Sequence, residues 1–313
     1  MGYATIAMTV ICSDFWRRFW FKTIDARQYA LLRITFGLLS AIYLAQLLPL
    51  ADVQFSSSGW LGSIRRIEAQ HGGIWSLLFL PIAADHPNFA ALLIGTGVAA
   101  SLLLMMGWRS RINAFIAWLV WVSLWNRNPL ILDGDDAILK LMCFYLMLSP
   151  CGNTWSVAAK KRNLPEQVEI WPLRLIQFQL ALIYFVSGWV KFYGPEWQTG
   201  TSIQTILIHP HYAAINGWAL INNEFISKAL SGLGDFIKWW EVLFPVTLMH
   251  PISRKITLLI GLSFHLGLLL TMNLRWFAII MLALYPALLP NNQFKQLENF
   301  WKNLVLAFFR AVN

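Results

Sequence analysis

Charge is what this sequence has least of. Acidic and basic residues together occupy 12% of its 313 positions, about half the share found in ordinary soluble domains. Apolar residues fill 58%, with a mean hydropathy of +0.55, so a soluble globular fold is excluded. Cysteine is scarce too: Cys12, Cys143 and Cys151 have no paired spacing and form no CxxC, which supports neither a disulfide framework nor a zinc site. The chain lacks a P-loop, G-x-S-x-G, H-E-x-x-H or dinucleotide fingerprint, leaving phosphoryl transfer, triad hydrolysis and zinc proteolysis without a motif. A cleavable signal peptide is not expected, because the short apolar start runs into Asp14 and Arg17-Arg18 and lacks a small-residue cleavage site. With no Pro/Gly/Ser linker tract either, the chain reads as one domain over 1–313.

What the sequence does contain is a series of apolar runs. A membrane helix needs about 20 mainly apolar residues, and Leu31 to Leu50, Phe89 to Trp108, Pro172 to Phe192 and Ile256 to Met272 meet that length. Shorter runs at Ile112 to Trp125, Ala137 to Ser149, Phe236 to Met249 and Trp276 to Leu289 are bounded by charges or turn signals and can span when packed against neighbours. The predicted fold is an all-α polytopic transmembrane bundle of about eight spans, with membrane lipid as its surroundings. Its bundle covers 25–290, with an interfacial segment at 1–24 and an amphipathic tail at 291–313.

The distribution of Lys and Arg is consistent with that count. With the N-terminus cytoplasmic, fifteen of the 24 basic residues fall on the cytoplasmic side, among them Arg109, Arg111, Lys160, Lys161 and Arg162. Five fall outside, Arg65, Arg66, Arg127, Lys228 and Arg275, against nine acids there. Both termini are therefore expected inside and the long connections 51–87 and 193–235 outside. The formal charge of +9 is split among short loops and not gathered on one solvated face, so nucleic acid is not an expected partner. Asp14 to Lys22 and Phe294 to Arg310 mix aromatic and basic residues as headgroup-layer helices do.

An ionisable side chain within a span costs a few kcal/mol, which makes it a functional candidate unless it snorkels or pairs. Arg33 lies one turn inside the first span, where snorkelling explains it. Lys238 and Glu241 stand i,i+3 and are expected to neutralise each other, as are Lys140 and Asp136. Lys191 ends an apolar span in YFVSGWVK, at the outer boundary near Tyr184, Trp189, Tyr193 and Trp197; it either snorkels or, desolvated, serves as a general base. His265 lies mid-span, a core histidine or a relay residue. The turn holding Asp133, Asp135 and Asp136 is either solvated or an oxygen site for a hard cation. His209 and His211 lack a third ligand in sequence, and no metal site is expected there.

Several stretches resemble the HTTM family, the membrane domain shared by vitamin K-dependent gamma-glutamyl carboxylase and stand-alone bacterial proteins. They are LLRITFGLL, FSSSGWLGS, GWRSRINAFIAWLVWVSLWNRNPLILDGDD, IYFVSGWVKFYGPEWQTGTSI and FHLGLLLTMNLRWFAIIML, in order over roughly residues 25 to 290. The resemblance implies that Lys191 matches the lysine that deprotonates the reduced vitamin, and that Gly188 is the motif glycine permitting close approach. A reduced quinone is then the implied cofactor. Two departures separate the chain from glutamate carboxylation itself. Asp135 stands near the place of a catalytically implicated histidine, and the large lumenal region that recognises the substrate propeptide has no counterpart in this sequence, so an additional subunit is expected to supply recognition.

The resulting expectation is a carboxylase-like membrane enzyme at the outer face of a bacterial inner membrane. It would modify an exported peptide, such as a toxin undergoing maturation, or a quinone-type lipid. Lys191 and His265 are the candidate catalytic residues, and Arg33, Asp133, Asp135, Asp136, Tyr184, Gly188 and Trp197 the candidate substrate contacts. A non-catalytic scaffold or lipid-binding partner is the alternative. A transporter ranks third, since internal repeats and matched interrupted helices are not evident.

Overall fold

The computed structural model describes residues 14–63, 74–86, 88–296 and 299. Cys12, Arg65, Arg66, Glu68 and most of the expected C-terminal amphipathic tail lie outside the described residues.

The protein is mostly helical, and each of the eight apolar runs is carried by one principal helix. These are α1 (Arg27–Leu47), α2 (Phe89–Met106), α3 (Ser110–Arg127), α4 (Gly134–Leu148), α5 (Trp171–Lys191), α6 (Glu224–Thr247), α7 (Pro251–Thr271) and α8 (Arg275–Leu284). Four described segments are long and apolar enough to cross a membrane: Arg27–Phe55, Phe89–Met106, Trp171–Lys191 and Pro251–Thr271. Local chemistry sets the boundaries. Gly107, at φ +77°, ends α2 by donating its N–H to the carbonyls of Leu103 and Leu104. Asp133 and Asp136 form a capping box that starts α4. Asn223 caps α6, and His250 caps α7 with Pro251 in its first turn.

The all-α expectation omits one feature, an antiparallel pair of three-residue strands, β1 (Thr23–Asp25) and β2 (Gln167–Glu169). Ile24 and Val168 are its buried pair. The strands are too short for alternation to register as a sequence signal.

The chain divides into two compact units. The first comprises residues 1–176 and 286–313. In it α1 packs on α2, α2 on α3, α3 on α4, and α4 closes back on α1. Leu32, Phe36, Leu44, Ile94, Leu124 and Leu146 fill its interior. A buried polar thread runs through it: the Trp121 indole donates to Ser40 Oγ at 2.9 Å, and Ser40 in turn meets Ser101 Oγ at 2.9 Å.

The second unit is residues 177–285, formed by most of α5 with α6, α7 and α8. Its polarity is reversed relative to a water-soluble protein. Helix α7 buries Thr257, Gly261 and His265 while exposing Ile252, Ile256, Leu259, Leu262, Leu266 and Leu270. On α5, Phe178, Leu182, Phe185 and Val186 are likewise exposed. Small and polar groups packed inward beneath an apolar exterior suit lipid as solvent, as do the apolar lengths of the spans. The protein is an integral membrane protein.

Candidate functional site

Tyr184, Ser187, Gly188 and Lys191 recur at helical spacing and share one face of α5. Glu241 and Phe244 of α6 meet that face. Gly188 makes the approach feasible, because a Cβ there would stand 2.7 Å from the backbone nitrogen of Val242. The close approach that the resemblance implied at Gly188 is thus between α5 and α6.

Lys191 Nζ lies 2.5 Å from Glu241 Oε2 and donates to Ser187 Oγ at 2.7 Å. It also stands 5.2 Å from the centre of the Trp197 ring, within cation–π range. The side chains are 18% and 4% exposed respectively. The sequence reading of an unpaired desolvated or snorkelling lysine therefore needs correction, because a carboxylate fifty residues away completes the site. The expected Lys238–Glu241 pair is corrected with it. Lys238 bonds Asp235 at 2.7 Å and the Trp197 carbonyl at 2.8 Å, which frees Glu241 for Lys191. Asp235 and Glu241 are both one turn from Lys238, and sequence spacing alone does not choose between them.

Two turns along the same face of α5, about 10 Å in helical rise, lies a second polar node. Tyr184 Oη is 2.7 Å from His265 Nε2 and 2.7 Å from Tyr285 Oη. Phe244 stacks on the Tyr184 ring at 3.8 Å, with Trp240 edge-on at 5.2 Å. His265 is 1% exposed, and either tautomer leaves its Nδ1 without a hydrogen-bond partner among the described residues. Tyr285 was missed in the sequence because it lies inside the run Trp276 to Leu289, which reads as plain apolar helix.

The other candidate residues lie in the first unit. Arg33 does not snorkel, contrary to expectation: it is fully buried, its Nη2 donates to the Trp155 carbonyl at 2.5 Å, and its Nε and Nη1 have no partner among the described residues. Gly107 accommodates it, since a Cβ at that position would overlap the guanidinium. The acidic turn is not a solvated loop. Asp133 caps α4, Asp135 and Asp136 are buried, and Asp136 Oδ2 accepts from the Asp133 N–H at 2.7 Å and from the Tyr43 hydroxyl at 3.2 Å.

Lys140 also departs from its expected ion pair with Asp136, standing instead 4.0 Å from the centre of the Trp125 ring. Arg127, expected in an outer loop, is fully buried and donates to the carbonyls of Phe55, Ser56 and Gly62 at 3.0, 2.6 and 2.9 Å. It ties down FSSSGWLG, a role with no periodicity to reveal it. Among the described residues no three His, Cys, Asp or Glu side chains gather as a metal site. His209 and His211 are exposed, with His209 Nδ1 accepting from the His211 backbone N–H at 3.2 Å.

Comparison with known proteins adds a family and little chemistry. A family model described as the HTTM domain matches residues 21–292. The uncharacterized protein YitO of Bacillus subtilis (strain 168) is 30% identical over 112 residues, covering 34% of this chain and 36% of that protein. The match thus spans about a third of each. No solved structure matches.

Proposed function

The chain belongs to the HTTM family, and from that premise we propose that it is a carboxylase-like integral membrane enzyme with Lys191 and Glu241 as its proton-transfer pair. In this reading all eight apolar runs span a bacterial inner membrane, both termini are cytoplasmic and the pair faces the periplasm. The substrate is an exported peptide or a quinone-type lipid, and a further subunit supplies peptide recognition.

The observation that carries the reading is the 2.5 Å contact between Lys191 Nζ and Glu241 Oε2 in a site largely closed to water. A buried pair of this kind is a weak device for stability, because desolvation consumes much of its Coulomb energy. It is a good device for moving a proton. Glu241 accepts the proton of the ammonium, leaving Lys191 Nζ a neutral amine able to take one from a substrate hydroxyl. Ser187 holds the amine in position throughout. A reduced quinone, when bound, supplies a weakly acidic hydroxyl. The unpartnered Nδ1 belongs to a His265 ring set among Phe264, Phe277, Tyr184 and Tyr285, which suits such a molecule by chemistry, offering a polar contact within aromatic surfaces. His265 and Tyr184 would orient it.

The test is intact-mass profiling of secreted peptides and membrane quinones from cells carrying wild type, Lys191→Ala or Glu241→Gln at matched protein levels. A mass difference lost in both variants supports the enzyme, and its size identifies the reaction, a gain of one CO2 restoring carboxylation. Identical profiles refute it.

One observation favours a non-catalytic scaffold: Glu241 already compensates the Lys191 charge, so the pair is complete without a ligand. That reading expects the double variant Lys191→Met/Glu241→Gln to keep any phenotype, whereas the enzyme reading expects its loss.

A further inference from the structure

A pocket of about 580 Å³ opens in the first unit between the start of α3 and the segment that follows α4. Its lining includes Arg109, Arg111 and Arg162, and no acidic residue. None of the three arginines is paired with a carboxylate among the described residues. Arg109 stands 5.1 Å from the centre of the Trp108 ring, and Arg111 Nε donates to the Ser149 carbonyl at 3.3 Å. The guanidinium groups therefore keep most of their donors for something else.

Ser110 supplies an independent sign. It lines the same pocket, is only 7% exposed, and its Oγ has no hydrogen-bond partner among the described residues. A buried hydroxyl left unsatisfied costs free energy that a bound acceptor removes. Ser110 is also the first residue of α3, an 18-residue helix whose N-terminus carries no side-chain cap. Its first-turn N–H groups and dipole add positive potential at the pocket. Trp108, Ile112, Val157 and Leu164 give the lining an apolar part, beside the polar Ser149 and Asn153.

We propose that this pocket binds a phosphate group, with Arg109, Arg111 and Arg162 as counter-charges and the Ser110 hydroxyl, turned about its χ1 toward the pocket, as a donor to a phosphate oxygen. Two sources offer that chemistry, an anionic phospholipid headgroup and free phosphate. The apolar part of the lining fits the lipid, whose glycerol and upper acyl carbons need such a surface. The pocket shares no residue with the site of Lys191 and His265, so it stands whether or not the catalytic reading does.

The experiment is native mass spectrometry of the full chain in detergent with diacyl phosphatidylglycerol, phosphatidylcholine or inorganic phosphate. Three variants are compared with wild type at matched thermal stability. Arg109→Gln/Arg111→Gln/Arg162→Gln removes the charge, Ala158→Phe fills the pocket without touching a charge, and Lys255→Gln removes an exposed cation elsewhere. Each cation near an anionic headgroup contributes roughly fivefold. The triple arginine variant is therefore expected to lose on the order of tenfold or more in phosphatidylglycerol affinity, the pocket-filled variant to lose binding by occlusion, and Lys255→Gln to be unchanged. Retention of phosphatidylglycerol against excess phosphate makes the ligand a lipid headgroup. Phosphate binding that is lost in the pocket-filled variant upholds the site and makes free phosphate its ligand. Equal lipid retention by all variants, or equal loss in Lys255→Gln, overturns the proposal.

Discussion

Glu241 is the more deeply buried member of its pair with Lys191, 4% against 18% side-chain exposure. This asymmetry decides what each half of the pair does when left alone. A carboxylate without its ammonium remains in the packed interior between helices, whereas an ammonium without its carboxylate keeps Ser187, the Trp197 ring and partial access to solvent.

Lys191→Met is accordingly expected to destabilise more than Glu241→Gln. Breaking a buried pair by removing one partner costs about 3–5 kcal/mol, and the upper end applies to the variant that strands Glu241. The double variant Lys191→Met/Glu241→Gln is expected to recover most of that loss. Thermal unfolding of all three in detergent tests this, and equal losses for the two single variants would contradict the asymmetry. Tolerance of Lys191→Met alone is thus a poor measure of catalysis, and the double variant separates a fold effect from a chemical one.

The helices were legible in the sequence because lipid imposes length and apolarity on them, and all eight runs coincide with principal helices. Lys191, Tyr184, Gly188 and His265 were legible for the opposite reason, as polar or small groups where lipid favours neither. What joins them was not legible. Lys238 has Asp235 and Glu241 at equal helical spacing on opposite sides, and only the packing of α5 against α6 gives Glu241 to Lys191. Arg127 reads as a loop cation because its three acceptors are backbone carbonyls, which every sequence contains. Asp133 and Asp136 read as solvated because a capping box looks the same in a surface turn as in a buried one.

Asp25 provides a pH-dependent prediction at the edge of the first span. Arg27 Nε and Nη2 reach its two carboxyl oxygens at 2.9 and 2.5 Å, and the Arg27 N–H adds a bond at 3.0 Å. The side-chain bonds from Arg27 hold the carboxyl below its ordinary range despite burial. A depressed carboxylate contributes stability that is present above its unfolded value, near pH 4, and is lost as pH falls through the folded value. Asp25→Asn is expected to cost about 1–3 kcal/mol at pH 7. The gap to wild type should close as the pH falls below about 4. A gap that persists or widens in acid would show that the carboxylate charge is not what matters.

Topology is open to a direct test, and it bears on which side each proposed site serves. Eight spans with a cytoplasmic N-terminus place Lys160 inside and Glu224 outside, because Lys160 follows the fourth apolar run and Glu224 precedes the sixth. Cys143 and Cys151 are buried, so a Cys12→Ser background leaves few native thiols to report. In that background, single Lys160→Cys and Glu224→Cys variants are exposed in intact cells to a membrane-impermeant thiol reagent. Labelling at 224 and protection at 160, reversed for 160 after permeabilisation, is the expected pattern. It would put the arginine pocket beside the inner leaflet, where anionic headgroups attract basic clusters, and the Lys191–Glu241 pair toward the outer face. Labelling of both positions in intact cells, or of neither, would require an odd change in the number of spans between them, and would exclude the eight-span topology.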